Sequence, residues 1–211
     1  MNDQAKISLS AFEMELITNT EWILAKQLII EKVFHLFGQL NEDFKRILAE
    51  EKEIFIPEWQ KKNGKISKGE NYKGLPYIIL DYPALFSKEN IIAIRTLFWW
   101  GNFFSISLHL SGKYAEKIYQ SPAIFKFLKN NEFSVCINED EWQHDFDESN
   151  FVNINKLNKD EIRKILEKPF FKIAQKTDLP QWDKAAVFLR ENFKKIIDFI
   201  SLSFPACEKV L

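Results

Sequence analysis

The stretch Ile91-Ile92-Ala93-Ile94-Arg95-Thr96-Leu97-Phe98-Trp99-Trp100-Gly101-Asn102-Phe103-Phe104-Ser105-Ile106-Ser107-Leu108-His109-Leu110 decides the fold. Two runs rich in β-branched and aromatic residues meet at Gly101-Asn102. Such a pair between such runs signals a hairpin, because glycine accepts the positive φ that tight strand connections need. With Gly101-Asn102 as a two-residue loop, Trp100 pairs with Phe103, Trp99 with Phe104 and Arg95 with Leu108. A four-residue loop keeps the same parity. One face then carries Ala93, Arg95, Leu97, Trp99, Phe104, Ile106, Leu108 and Leu110 and is expected to be the core side. The other carries Ile94, Thr96, Phe98, Trp100, Phe103, Ser105, Ser107 and His109.

Each face raises a chemical question. Arg95 on the core side cannot shed its proton, so it needs a carboxylate or a route for its head to reach solvent. Asp81 on the neighbouring strand is the expected partner. On the other face, two hydroxyls, an imidazole and three aromatics would floor a small-molecule pocket, with His109 as its acid or base. The plainer reading of that face is a packed sheet surface whose histidine is satisfied by a backbone carbonyl. No nucleophile is fixed beside His109 by spacing.

Outward from the hairpin, Pro76-Tyr77-Ile78-Ile79-Leu80-Asp81-Tyr82-Pro83 reads as a strand stopped by its last proline. Residues 57–75 hold three glycines and five lysines without periodicity and are expected to form a mobile loop. Its lysines alternate with Trp59 and Tyr72, which would allow bases to stack, but no phosphate-cradling glycine motif is present. Trp22, Ile29, Val33, Leu36, Leu40, Phe44 and Ile47 share one helical stripe, with Asn19 or Thr20 as the cap and Leu24 and Leu28 off the stripe. Short helices are expected over 112–120 and 122–130. Phe133 to Ile137 and Trp142 to Phe146 are expected to pair as strands, followed by a weak strand at 151–155.

Asn158-Lys159-Asp160-Glu161 is close to a capping box. Phe170 to Lys176 predicts a last strand. Trp182 through Phe204 predicts a strong closing helix from which Phe188, Phe199 and Leu202 project, implying burial on two sides or a homodimer contact. The segment Glu139-Asp140-Glu141-Trp142-Gln143-His144-Asp145-Phe146-Asp147-Glu148 is rich in carboxylates, yet it matches no calcium-loop or zinc spacing. It reads as an acidic edge beside a core-side histidine.

The 211 residues carry 29 Lys+Arg against 30 Asp+Glu, with 46% apolar and 28% charged residues. That composition excludes wholesale disorder and supplies enough apolar surface for a core without staples. The near-zero net charge and the four arginines weigh against a nucleic-acid reader. Cys136 and Cys207 stand apart, no apolar run approaches a membrane span, and the first residues lack a secretory pattern. The expectation is a cytoplasmic chain with no membrane partner, no metal and no cofactor.

The fold class expected is α+β: a mainly antiparallel sheet of hairpins packed by long N-terminal and C-terminal helices, residues 1–211 forming one domain. Gly74 to Pro83 together with Arg95 to Leu110 resembles uncharacterised conserved-hypothetical proteins of bacteria. The resemblance covers the middle of the chain and implies no activity and no site residues. The leading functional reading is a module that binds a small molecule or a protein through the aromatic hairpin 94–109. Its candidate ligand-binding residues are Asp81, Tyr82, Arg95, Trp100, Phe103, Ser105, Ser107 and His109. An enzyme with a pocket around Asp81, Arg95 and His109 is the second reading, and weak nucleic-acid binding through 57–75 the third.

Overall fold

The computed structural model describes residues 8–51, 56, 59, 63–118 and 122–204. Among them seven strands form one antiparallel sheet: β1 (Lys65–Tyr72), β2 (Leu75–Phe86), β3 (Ile91–Trp99), β4 (Phe103–Ser111), β5 (Ser134–Cys136), β6 (Phe151–Asn153) and β7 (Phe170–Asp178). Their spatial order is β1-β2-β3-β4-β7-β5-β6. The first four strands are a meander, and β7 inserts between β4 and β5. The connections from β4 to β5 and from β6 to β7 therefore each skip a strand, and carry the helices α3 (Lys113–Ile118) with α4 (Pro122–Asn130), and α5 (Lys159–Leu166). The remaining helices are α1 (Ala11–Thr18), α2 (Thr20–Glu50) and α6 (Trp182–Ser203). The α+β class with terminal helices on an antiparallel sheet is thus the observed architecture.

The helices form where local chemistry favours them. Asn19 accepts a hydrogen bond from the Trp22 N–H at 2.9 Å and caps α2, while Asn158 and Glu161 cap α5 reciprocally. The stripe Val33, Phe37, Leu40 and Phe44 of α2 is buried against α6 and one face of the sheet. Phe44 stacks on Phe193 of α6 at 3.9 Å between centroids, and Phe37 meets Phe104 of β4 edge-on at 6.5 Å. Trp22 departs from its expected place in that stripe and is exposed; α2 first meets the sheet at Lys26, which pairs with Glu70 of β1, and first packs on the core at Ile29 and Ile30.

The hairpin at Gly101 differs from the expected register by one residue. Trp99 pairs with Phe103, so the loop is Trp100-Gly101-Asn102 and has odd length. The Asn102 N–H donates to the Trp99 carbonyl at 3.1 Å, and Gly101, with φ of +69°, takes the third position of that turn. A shift of one residue turns every side chain of one strand to the opposite face. Ile94, Thr96 and Phe98 therefore lie under the helices with Phe104, Ile106 and Leu108. Arg95 lies on the other face with Ser105, Ser107 and His109.

Three further expectations are corrected. Lys65–Tyr72, within the stretch read as a loop, is edge strand β1; an edge strand needs little apolar alternation, since partner hydrogen bonds on one side suffice. Residues 57, 58 and 60–62 lie outside the described residues. Strand β2 runs through Pro83 to Phe86, with a shift of register between Asp81 and Ala84 that accommodates the missing N–H. Residues 142–146 form no strand; β5 pairs with β6, and the acidic segment is an irregular loop. On α6, Phe199 is buried against Phe127 and Phe171, so this residue meets the two-sided reading, while Leu202 is exposed.

Phe193→Ala, which empties a fully buried ring site between α2 and α6, is expected to lower the unfolding free energy by about 3–5 kcal/mol in urea titrations.

Candidate functional site

Because β3 and β4 pair with odd loop length, the sheet face away from the helices collects polar side chains. Across it run two rows: Asp81, Arg95, Ser107 and Ala174, and beside them Ala93, His109 and Lys172. Loop 137–150 lies over this face. It is held there by buried cations and one phenol, which meet its backbone carbonyls, its amides and its histidine.

Lys172, in the middle of the apolar strand β7, is the central tie. Its Nζ donates to the carbonyls of Glu141 at 2.7 Å and Gln143 at 2.6 Å. Arg95 makes the expected ion pair with Asp81, Nε to Oδ1 at 2.7 Å and Nη2 to Oδ2 at 2.9 Å. Its remaining Nη1 lies 3.1 Å from Nε2 of His144. A guanidinium only donates, so this Nε2 accepts and the ring proton of neutral His144 sits on Nδ1. Nδ1 lies 3.5 Å from the Lys172 Nζ. An imidazolium here would stand between two cations.

The ionisation follows from that geometry. Burial, with Lys172 and Arg95 adding to it, holds the His144 pKa well below the usual range. Burial and the same two cations push His109 down to about 3, and its Nε2 lies 2.7 Å from the Glu141 carboxylate, to which the neutral ring donates. Lys172 is lowered to about 8, chiefly by burial. Tyr72 of β1 closes the loop's far side: its hydroxyl accepts from the amides of His144 and Asp145 and donates to the Asp145 carboxylate at 2.9 Å. Burial pushes that phenol up to about 12.

Trp142, at the crest of the loop, is exposed and separates two open grooves. The first, about 570 Å³, lies between β1 and Trp142; Asp81 and Arg95 line it, with Tyr77, Phe86 and Trp142 as aromatic walls and Asn63, Lys65 and Ser67 on the β1 side. The second, about 470 Å³, lies toward Glu139, Glu141, Lys88 and Phe170.

Of the residues singled out from the sequence, Asp81, Arg95, Ser107 and His109 come together on this face, which the even-loop register would have forbidden for Arg95. Ser105 and Phe103 share the face nearer the hairpin tip, where Phe103 packs on Phe146 at 5.2 Å. Tyr82 points to the helix side and lines a separate cavity with Trp59 and Lys45. Trp100 sits in the turn, half-buried, edge-on to Phe98. The hairpin-tip aromatics Trp99, Phe103 and Phe104 are buried within the single chain, which removes the exposed aromatic surface expected there. Sequence reasoning passed over Lys172; it read Tyr72 as a base-stacking residue of a loop and Trp142 as a strand residue. A lysine amid Phe170-Phe171 and Ile173-Ala174 was the available signal, since a cation in an apolar strand demands acceptors.

Nearly every titratable group beneath the loop is thus used in holding it. The Cys136 thiol is pushed up by burial and donates toward Asn150, so it is no activated nucleophile. Among the described residues, no group of three His, Cys, Asp or Glu side chains is placed to hold a metal ion. Among them, too, no helix is long and apolar enough to cross a membrane. Compared with known proteins, the chain matches no family model, no curated protein and no solved structure.

Two outcomes test this arrangement. Asp81→Ala leaves the mostly buried Arg95 without its carboxylate and is expected to cost about 3 kcal/mol in chemical denaturation. The folded pKa of His109 lies below its unfolded value, so the unfolded chain binds protons first as pH falls. Stability is then intact above about pH 6.5 and declines from there toward pH 3, His144 adding in the same direction. Thermal midpoints measured across that window should fall, and His109→Gln should flatten the slope.

Proposed function

We propose that the protein is a cytoplasmic, non-enzymatic small-molecule binding protein whose ligand lies in the groove between β1 and Trp142. The observation that carries this reading is a pair of large exposed aromatics, in tilted contact with each other, standing beside a polar floor. Phe86 and Trp142 are 42% and 46% exposed, with ring centroids 6.3 Å apart. Aromatic surface left open above an ion pair is the composition of a ligand site: apolar walls with few polar groups that fix orientation. Its volume falls within the range for drug-sized ligands.

The lining supports a flat ligand with one negative charge. Asp81 and Arg95 neutralise each other, and Arg95 also lies 5.7 Å from the centre of the Phe86 ring, which holds that wall in place. Lys65 is the remaining charge of the lining, with Asn63 and Ser67 as polar neighbours. A ring slotted beside Trp142 would cover both exposed aromatics while its anionic group meets Lys65.

Binding is favoured over catalysis because the groups an enzyme would need are occupied. Asp81 is taken by Arg95, and His109 by Glu141. Lys73, from the lysine-rich stretch, is tied to Asp145 and Asp147, which takes from the nucleic-acid reading a cation it would use.

Titration with 2-naphthoate, followed by tryptophan fluorescence and by amide shifts, tests the proposal. Saturable binding is expected, weakened about tenfold or more by Trp142→Ala and several-fold by Lys65→Ala, since one aromatic wall is worth about 1.4 kcal/mol or more. Absence of binding at millimolar naphthoate, or binding unchanged in both variants, would overturn it.

A further inference from the structure

The second unexplained surface is on the N-terminal helices. Helix α1 contains no buried residue, and none is buried from Thr20 to Lys32 of α2. Yet this stretch is apolar: Phe12, Met14 and Ile17 of α1, with Leu9 just before it, are 49–66% exposed. Trp22, Ile23, Leu24 and Leu28 of α2 are 42–58% exposed. Exposed patches of this extent mark interaction surfaces.

We infer that this helical arm is a homodimer interface, occupied by the same arm of a second copy of the chain. Its extent fits. Those eight side chains leave on the order of 900 Å² accessible, comparable to the ~800 Å² that each partner buries in an interface of standard size. Its shape fits as well. At about 100° per residue, Phe12, Leu16, Ile17 and Met14 fall at about 0°, 40°, 140° and 200°, so α1 is apolar around most of its circumference. A flat partner would cover one side only. The joint at Asn19, with ψ of 87°, breaks the helix between α1 and α2, and two such bent arms can each seat α1 in the other's angle.

The arm is acidic at its start, with Glu13, Glu15 and Glu21, while Lys26 is paired with Glu70 of β1 at 3.4 Å and Glu31 stands beside Lys32. An antiparallel pair of arms related by a two-fold axis keeps the two acidic starts apart. The same charges argue against a bilayer: residues 8–28 carry three carboxylates and one lysine, which anionic headgroups repel, and α1 lacks the separate polar face of an interfacial helix. An eight-residue helix is also marginal without packing, which a partner arm supplies.

Sedimentation velocity with light scattering on the full chain at micromolar concentration tests this. A particle of twice the chain mass is expected. Phe12→Glu and the double change Leu24→Glu with Leu28→Glu alter only exposed positions, so both should keep the far-UV spectrum and thermal midpoint of the body while raising the dimer dissociation constant about 100-fold or more. Leu202→Glu, on the exposed side of α6, should leave the dimer intact. A monomeric wild-type chain, a dimer that survives both arm variants, or one that Leu202→Glu dissociates would overturn the inference. So would a monomer that co-sediments with vesicles of phosphatidylcholine and phosphatidylglycerol, which would assign the arm to lipid.

Discussion

The parity of one turn governs this molecule. With three residues between β3 and β4, Arg95 and His109 share a face and Phe98 and Phe104 share the other. The helix layer then meets a largely apolar surface, in which Phe104 touches Phe37 and Phe98, and the charged residues of β3 and β4 are gathered on the far side. An even loop would have driven the guanidinium of Arg95 under α2 and α6 or sent Phe104 to the loop side. Gly101 makes the odd loop accessible because its backbone takes a positive φ that residues with a Cβ seldom adopt.

Gathering charges on one covered face has a cost, and loop 137–150 is the means by which it is met. Desolvating Arg95 and Lys172 is unfavourable unless each donor finds an acceptor. The loop, lacking a ladder of its own, offers just what strands cannot: free backbone carbonyls at Glu141 and Gln143. The arrangement is mutual, since a segment with no regular structure would carry unsatisfied carbonyls if buried without those cations. This is why the histidines are neutral and why Trp142 is presented at a defined height above the groove floor. A network of this kind fixes a shape, and that is the physical basis on which a binding role is proposed for the groove.

The helical arm follows a different logic. The body of α2 from Val33 to Phe44 is consumed by the sheet and α6, whereas the segment before it holds Trp22, Ile23, Leu24 and Leu28 exposed, with only Ile29 and Ile30 partly packed on the core among the described residues. The groove beside Trp142 and the arm are carried by different elements, so the proposed binding and the proposed association can be tested separately.

Much of the architecture was legible because it rests on neighbours in sequence. The caps at Asn19 and Asn158, the stripes of α2 and α6 and the existence of a hairpin at Gly101 depend on contacts within a few residues. The pairing of Asp81 with Arg95 was legible too, because an arginine on a sheet face flanked by apolar residues admits few partners. What escaped was non-local. Strand β1 has no apolar alternation and exists because β2 offers it hydrogen bonds; residues 142–146 alternate like a strand, but their expected partner β5 has no free side, since it takes β6 on one side and β7 on the other. By itself the sequence determined the helices from α2 onward, the hairpin and the α+β class, through periodicity and capping; α1 was not read from it. Only the tertiary structure decided the turn parity, the convergence of Lys172 and His144 under one loop and the aromatic walls of the groove. Those depend on which distant backbone groups stand opposite one another, and no local preference encodes that.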